Sequence, residues 1–444
     1  MSICPPVAPV AGDIATRIAA LRRRVDGDVL TPADPGYEQA ITAWNRTTAH
    51  SPAVVVVADN VGDVIATVTF AAELGIGLGV QATSHGGVAP VDGVLLVTAR
   101  LQDVAVDPEE RTAWVAAGCT WADIVAATQA HGLAPIADSS PSVGAVASTL
   151  GGGLGWLARH HGPACDAVRS FEVVTADGSL LRTCRDENGE LFRALRGGGG
   201  SLGVITDMEI ALVPATTVYA GNLHYPAERA AEVVARYAEW VADAPPELTS
   251  SVVITNRPSP AVIVRGCWSG DLATGRAFID GWRELMPPTI DEWVEMRFAD
   301  VAAIGADAVD EEPSVTTGAW LDGLDAKVGA VLAGMVFEAT GAVMAEVRHA
   351  GGAITGGDRA NSTMGHRECP FLLRLVGAAN EVETMRAAKR ALDVPARTYI
   401  NFLEGDERRH GARTSIDTDD LARIIALRRQ IDPDDVFRFG VAHA

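Results

Sequence analysis

The stretch VVVVADNVGDVIATVTFAAELGIGLGVQATSHGG, residues 54–87, decides the fold. Its first four residues form a β-branched run too short for a helix and suited to a buried strand. Asp59 or Asn60 can cap the helix that follows, whose apolar side carries Val61, Val64, Ile65, Val68 and Ala72. Gly75 stops that helix, and residues 76–81 read as the next strand. A strand–helix–strand unit thus delivers the chain into a tight polar loop, Ala82-Thr83-Ser84-His85-Gly86-Gly87. Residues 93–97 supply a further strand.

Beyond this unit the texture changes to short paired strands. Residues 104–106 and 112–116 form a hairpin around Asp107-Pro108-Glu109-Glu110. Thr120, with Asp123 three residues on, opens a helix to about Ala130 that Gly132 stops. Asp177-Gly178 joins two more strands, over 171–175 and 180–183. A helical turn over 191–196 and a strand over 204–212 follow, and Pro214 closes this part. Residues 215 to about 395 carry helices near 227–243 and 271–285, strands near 250–255 and 261–266, and an acidic loop around Asp310 to Pro313. The tail has a strand over 398–402, a helix near 417–430 and a stop at Asp432-Pro433. Upstream, residues 13–24 suit a short amphipathic helix.

The pattern predicts an α+β chain in four parts: an extension over 1–30, a first unit over 31–214, a second over 215–395, and a segment over 396–444 that returns to the first. The 444 residues hold 36 Lys+Arg against 57 Asp+Glu, a net charge of -21. Such a surface repels phosphate backbones and anionic lipids, so nucleic acid and membranes are not expected partners. It mildly favours a neutral or cationic small molecule, unless a local pocket overrides it. Six cysteines without a C-x-x-C pair suggest reduced thiols and a cytoplasmic protein, and no apolar run approaches a membrane span. Lysine occurs only at Lys327 and Lys389, which hints at a GC-rich bacterial genome.

Glycine-dense loops lie at 84–87, 151–155 and 197–203. Gly198-x-Gly200-x-x-Gly203 matches the dinucleotide fingerprint in letters, but a helix precedes it and a strand follows, the reverse of what that fingerprint needs. No Gly-Lys-Ser/Thr run supports a phosphate-binding P-loop. Glycine costs backbone entropy on folding, so three such loops point to close approach of the backbone to some other group. Successive amides there can cradle a pyrophosphate without a lysine. Unrelated hairpin ends are the other reading.

Taken together, the residues resemble the berberine bridge enzyme-like flavoproteins of the vanillyl-alcohol oxidase and p-cresol methylhydroxylase group. The resemblance rests on the loop with His85, Ser140-Pro141-x-Val143-Gly144, Gly151-Gly152-Gly153-x-Gly155-x-x-x-Arg159, Asp166, Val174-x-Ala176-Asp177-Gly178, the run from Leu191 to Gly200, and Gly203-Val204-x-Thr206. Tyr399-x-Asn401-Phe402 and Asp432-Pro433-x-Asp435-x-Phe437-Arg438 complete it. It implies a two-subdomain FAD-binding domain of the p-cresol methylhydroxylase type and an α+β substrate domain with an antiparallel sheet. FAD would contact Thr83, Ser84, His85, Gly86 and Gly87, then Ser140, Val143 and Gly144. The glycines Gly151, Gly152, Gly153, Gly155 and Gly203, with Val204, Asn401 and Phe402, complete the implied set. The resemblance also implies a covalent bond from His85 to the flavin. Where some relatives place a second, cysteine-borne link, this chain has Ser140, so one link is expected.

Flavin oxidation needs a base for the proton of the substrate's hydroxyl or amine. Tyr399 is the candidate: in a strand over 397–402, Arg397, Tyr399 and Asn401 share a face, and a guanidinium within ~4–6 Å favours phenolate. A core tyrosine with a satisfied hydroxyl is the alternative. His366 and Arg367 are weaker candidates, Trp268, Trp293 and Trp320 suit a core or a pocket, and His160-His161 lacks partners for a metal. The expected activity is oxidation of an alcohol or amine carbon with O2 as acceptor, in a tailoring step of secondary metabolism. A dehydrogenase with another acceptor, or a flavin-bound cyclase or binding protein, is the alternative. The oligomeric state is not indicated.

Overall fold

The computed structural model describes residues 11–47, 49–85, 91–305, 313–338, 341–390, 392, 394–404, 407–408 and 411–440. The first sheet has four strands in the order Asp28–Leu30, Val54–Val57, Val94–Val97, Leu78–Gln81, the last three parallel. The helix Val61–Leu74 connects Val54–Val57 to Leu78–Gln81. Asn60 caps it by accepting from the Asp63 amide at 3.0 Å, and Gly75 ends it at φ +64°. Gln81 pairs with Val97 at the carboxyl end of the parallel strands, where open α/β sheets hold ligands, and the loop with His85 leaves from there.

The second sheet is six-stranded and built on Val204–Pro214, which pairs with Thr112–Ala116, Val168–Val174 and Leu133–Pro135. The Asp177-Gly178 turn forms with Gly178 at φ +81°, and the Thr120–Asp123 capping box is complete on both sides. One apolar core joins the first two sheets, and the tail returns to it with Ile400, Ile416, Ile424, Val436 and Phe437.

The third sheet is eight-stranded and antiparallel, with inner order Thr217–Pro226, Ala261–Trp268, Leu248–Thr255, Ala342–His349, Phe371–Ala378, Ser314–Leu321. Its strands alternate by the period of two. Val264, Val252, Val347 and Leu373 enter a second core beneath the helices Ala230–Val241 and Ala326–Phe337. Arg265, Ser251, Arg348 and Arg374 take the opposite face, turned towards the first unit. The expected acidic loop, 310–313, falls almost wholly outside the described residues.

Two motif residues hold these units together. The guanidinium of Arg159 donates to the carbonyls of Ala244, Pro245, Leu248 and Ala350 at 2.5–3.0 Å. Asp166 accepts two bonds from Arg367, at 3.1 and 2.6 Å, with Arg196 3.7 Å away; both arginines are buried and Asp166 is partly so. Arg367 is therefore part of this ion-pair network.

The strand expected over 397–402 does not form. Ile400–Phe402 is a 3-10 turn closed by i→i+3 bonds from the amides of Phe402 and Leu403, at 2.9 and 3.2 Å. A turn with about three residues per revolution destroys the shared face. Arg397 instead pairs with Asp322 and donates to the Cys369 sulfur, so the expected Arg397–Tyr399 couple is absent.

Candidate functional site

A cavity of about 850 Å³ lies between the loops of the first unit and the polar face of the antiparallel sheet. One wall carries Gln81, Thr83, Ser84, His85, Ser140, Val143 and Gly144; the other carries Arg265, Arg348, Arg374, Thr316 and Val376. Asn401, Phe402 and Glu404 close one end. The volume suits a large cofactor with room beside it, near the top of the usual range for ligand sites.

On the loop wall the backbone turns sharply at Ser84, whose φ is +56°. Thr83 accepts from the Gly144 amide at 3.3 Å, tying the loop to the segment that follows Ser140. The His85 ring stacks on Trp44 at 3.6 Å and 15°, and its Nε2 lies 3.3 Å from Ser142 Oγ. Ser84 Oγ and Gln81 Oε1 are buried with no hydrogen-bond partner among the described residues. Buried polar groups of this kind call for a ligand or water. Gly86 and Gly87 lie outside the described residues.

The glycine cluster plays a different part from the one its spacing suggested. Gly151, Gly152, Gly153 and Gly155 do not line the cavity, and neither do Gly203 and Val204. What approaches them is protein. A Cβ on Gly151 would stand 1.9 Å from Asn401 Oδ1, and one on Gly155 would stand 2.1 Å from the Ala137 carbonyl oxygen. The Gly153 amide donates to the Tyr399 hydroxyl oxygen at 2.9 Å. Gly203 abuts Val173, and Val204 pairs with Val174 inside the second sheet.

Tyr399 and Asn401 do meet: Asn401 Nδ2 donates to Tyr399 at 3.1 Å and to the Ser148 carbonyl at 2.9 Å. Asn401 and Phe402 line the cavity, whereas Tyr399 sits behind them, 3% exposed. Burial pushes the Tyr399 phenol well above its usual range, Asp138 adds to this, and Arg348 only partly opposes it. The expected depression of its pKa is thus reversed: at neutral pH it is a phenol, held as a hydrogen-bond acceptor. Its neighbours in a small core at the seam are Trp320, Met364 and Cys165, whose thiol burial raises to about 12. Trp268 and Trp293 belong to the second core. His366 bonds the Thr414 carbonyl at 2.8 Å, away from the cavity wall.

The charged groups of the cavity were not singled out by the sequence. Arg257, Arg265, Arg348, Arg374 and Arg408 line it, against Asp138 and Glu404. Behind the wall Glu346, 1% exposed, is bracketed by Arg265 at 2.7 Å and Arg348 at 3.1 Å. Burial works against its ionisation, but Arg265, Arg348 and Arg374 outweigh that and hold the carboxyl far below the usual range. Glu404 goes the other way: burial lifts it to about 7, although its Oε2 accepts from the Thr316 amide at 3.0 Å and from Asn45 at 3.3 Å. The local exception allowed for in the reading of net charge is present here, because a chain of -21 builds a cavity lined by more arginines than acids.

Residues 52–184 match a family described as FAD binding domain. The chain carries an FAD-binding domain. It is 30% identical over 272 residues to an FAD-linked oxidoreductase of Dictyostelium discoideum, covering 60% of each chain. It is also 30% identical over 191 residues to (R)-6-hydroxynicotine oxidase of Paenarthrobacter nicotinovorans, covering 42% of each. The matched stretches thus span three fifths or less of these relatives. The structure of the berberine bridge enzyme-like protein 1 of Physcomitrella patens superposes with a TM-score of 0.84 at 18% identity, covering 95% of this chain and 97% of that one. The fold is the p-cresol methylhydroxylase type expected from the motifs. The cavity residues fit FAD: the volume, the orphaned Ser84 and Gln81 oxygens, and the flat stack of Trp44 on His85. No described helix is long and apolar enough to cross a membrane. Among the described residues no cluster of three His, Cys, Asp or Glu side chains could hold a metal.

Proposed function

We propose that this protein is an FAD-dependent oxidase acting on an alcohol or amine carbon of a small molecule. FAD, when bound, would supply an acceptor for the hydride of that carbon and a route for both electrons to O2, with hydrogen peroxide as the product. In this reading residues 31–214 with 396–444 hold the cofactor and 215–395 cover the substrate, which the shared core of the tail and first two sheets supports. We assign a single covalent link to His85, a reading supported by its position on the cavity lining and by Ser140, which cannot supply a thiolate.

The observation that carries the reading of substrate oxidation is Glu404, a buried carboxyl on the cavity wall that burial lifts to about 7. A base poised near neutrality can take the proton from the substrate's hydroxyl or amine as hydride leaves its carbon. Asn401, anchored through its amide to Ser148 and Tyr399, is held in place at the same end of the cavity. Five unpaired cysteines among the described residues support a reducing, cytoplasmic setting, and the tailoring of a natural product is the role we assign.

The test has two readouts. Denatured in acid, the wild-type protein should keep its yellow, fluorescent flavin on the polypeptide, whereas His85→Ala should release it. With a panel of alcohols and amines, oxygen uptake and peroxide should rise together; bleaching of the flavin without oxygen uptake would point instead to a dehydrogenase.

A further inference from the structure

Among the cations of the cavity, Arg374 differs from its neighbours. Arg265 donates to Ser251, the Gly305 carbonyl and Glu346 at 3.2, 3.0 and 2.7 Å. Arg348 donates to the Leu154 carbonyl at 2.9 Å and to Ser139 at 3.0 Å. The Arg374 side chain makes no hydrogen bond or ion pair to any described residue, and its Nε is buried. It projects from the middle of Phe371–Ala378 onto the cavity wall. Its guanidinium carbon lies 5.5 Å from the centre of the Phe402 ring, and that of Arg348 lies 5.3 Å from the same ring.

The local charge count shows what is missing. The single carboxylate of Glu346 faces three guanidiniums, and geometry commits it to Arg265 and Arg348. The other acids near Arg374 are Glu404, only about half ionised at neutral pH, and Asp138, whose carboxyl burial raises above its ordinary value. The Phe402 ring gives Arg374 a weak cation–π contact but no hydrogen bond. A partly desolvated guanidinium with no acceptor is costly, and its planar fork matches one carboxylate in bidentate fashion.

We infer that the cavity selects a substrate bearing a carboxylate, which pairs with Arg374 on the sheet wall opposite His85. This rests on the flavin-site reading, because it gives the substrate the part of the cavity across from the cofactor loop. The carboxylate is a handle and takes no part in the bond changes. It orients the substrate so that the oxidisable carbon stays towards the flavin and Glu404.

The experiment uses the purified full-length protein as it comes, with flavin content read in the same sample after acid precipitation. Benzoate and 2-naphthoate are titrated by calorimetry and, where flavin is bound, by its absorbance change; benzamide and 2-naphthamide serve as neutral counterparts. The acids should bind at least tenfold more tightly than the amides. Arg374→Ala should remove at least that tenfold preference while flavin content and melting temperature hold, and Arg374→Lys should restore part of it. Equal binding of acids and amides, no binding of either acid, or wild-type acid binding by Arg374→Ala would each overturn the inference. So would loss of flavin in Arg374→Ala, since the arginine would then serve the cofactor. A colourless wild-type protein that still prefers the acids would instead sink the flavin reading and leave this one standing.

Discussion

Along the loop wall, Gln81 to His85 and Ser140 to Gly144 present small neutral groups set by backbone geometry. On the facing sheet wall, Arg265, Arg348 and Arg374 present guanidiniums around one buried carboxylate. The loop wall is built from local sequence: a parallel strand ends at Gln81, the chain turns at Ser84, and Thr83 fastens it to Gly144. The sheet wall joins Arg265, Glu346 and Arg374, which meet only because four strands lie side by side, with Leu248–Thr255 between those of Arg265 and Glu346. The contrast teaches that a cofactor site can be written in short motifs, whereas substrate recognition on the same cavity depends on long-range register.

The largest effect should come from breaking the sheet wall at its centre. Glu346→Gln leaves Arg265 and Arg348 facing a neutral group in a buried site, where removing one partner of an ion pair costs about 3–5 kcal/mol. Chemical denaturation should show that loss, while the same measurement on an exposed pair such as Arg297–Asp300 should barely move.

Glu404→Gln tests the end of the cavity where both walls meet. Because the folded pKa of Glu404, about 7, lies above its ordinary value of 4.5, the folded state holds the proton more tightly than the unfolded chain. Wild-type stability should therefore fall as pH rises from about 4.5 through 7, by up to about 3 kcal/mol, and the Gln variant should lose that slope. Turnover by the wild type should rise over the same window as the carboxylate forms, and the variant should be slow at every pH.

Gly151→Ala probes the loop side. Its Cβ would collide with Asn401 Oδ1, and overpacking of this kind costs about 1–3 kcal/mol. Pairing it with Asn401→Ala should recover much of the stability but not the activity; a full penalty in the double variant would show that Asn401 is not the obstacle. The smallest change is expected from Tyr399→Phe. It leaves the Gly153 amide short of its buried acceptor, at about 1–3 kcal/mol, while the pH dependence of turnover stays as in the wild type. A displaced pH profile would return the proton-accepting role to the tyrosine.

Residues 54–81 were legible because strand, cap and stop signals act within a few positions, and Asn60, Gly75 and the Thr120–Asp123 box behave as local chemistry requires. The segment 397–402 misled because alternating polar and apolar residues fit a strand equally well. Its backbone bonds, from the Trp320 amide to Arg397 and from the Thr398 amide to Thr414, follow no regular ladder and are imposed by surrounding chain. The glycine cluster at 151–155 was correctly read as a place of close approach, but spacing could not say that Asn401 and Ala137 do the approaching.

Sequence alone therefore determined the FAD-binding fold and the loop that carries His85, since both follow from interactions between near neighbours in the chain. Tertiary structure alone decided that Tyr399 stays a buried phenol, that Arg397 turns away, and that an acidic protein lines its cavity with arginines. Burial and charge proximity set those outcomes, and both depend on groups tens to hundreds of residues apart that only the folded chain brings within a few ångströms.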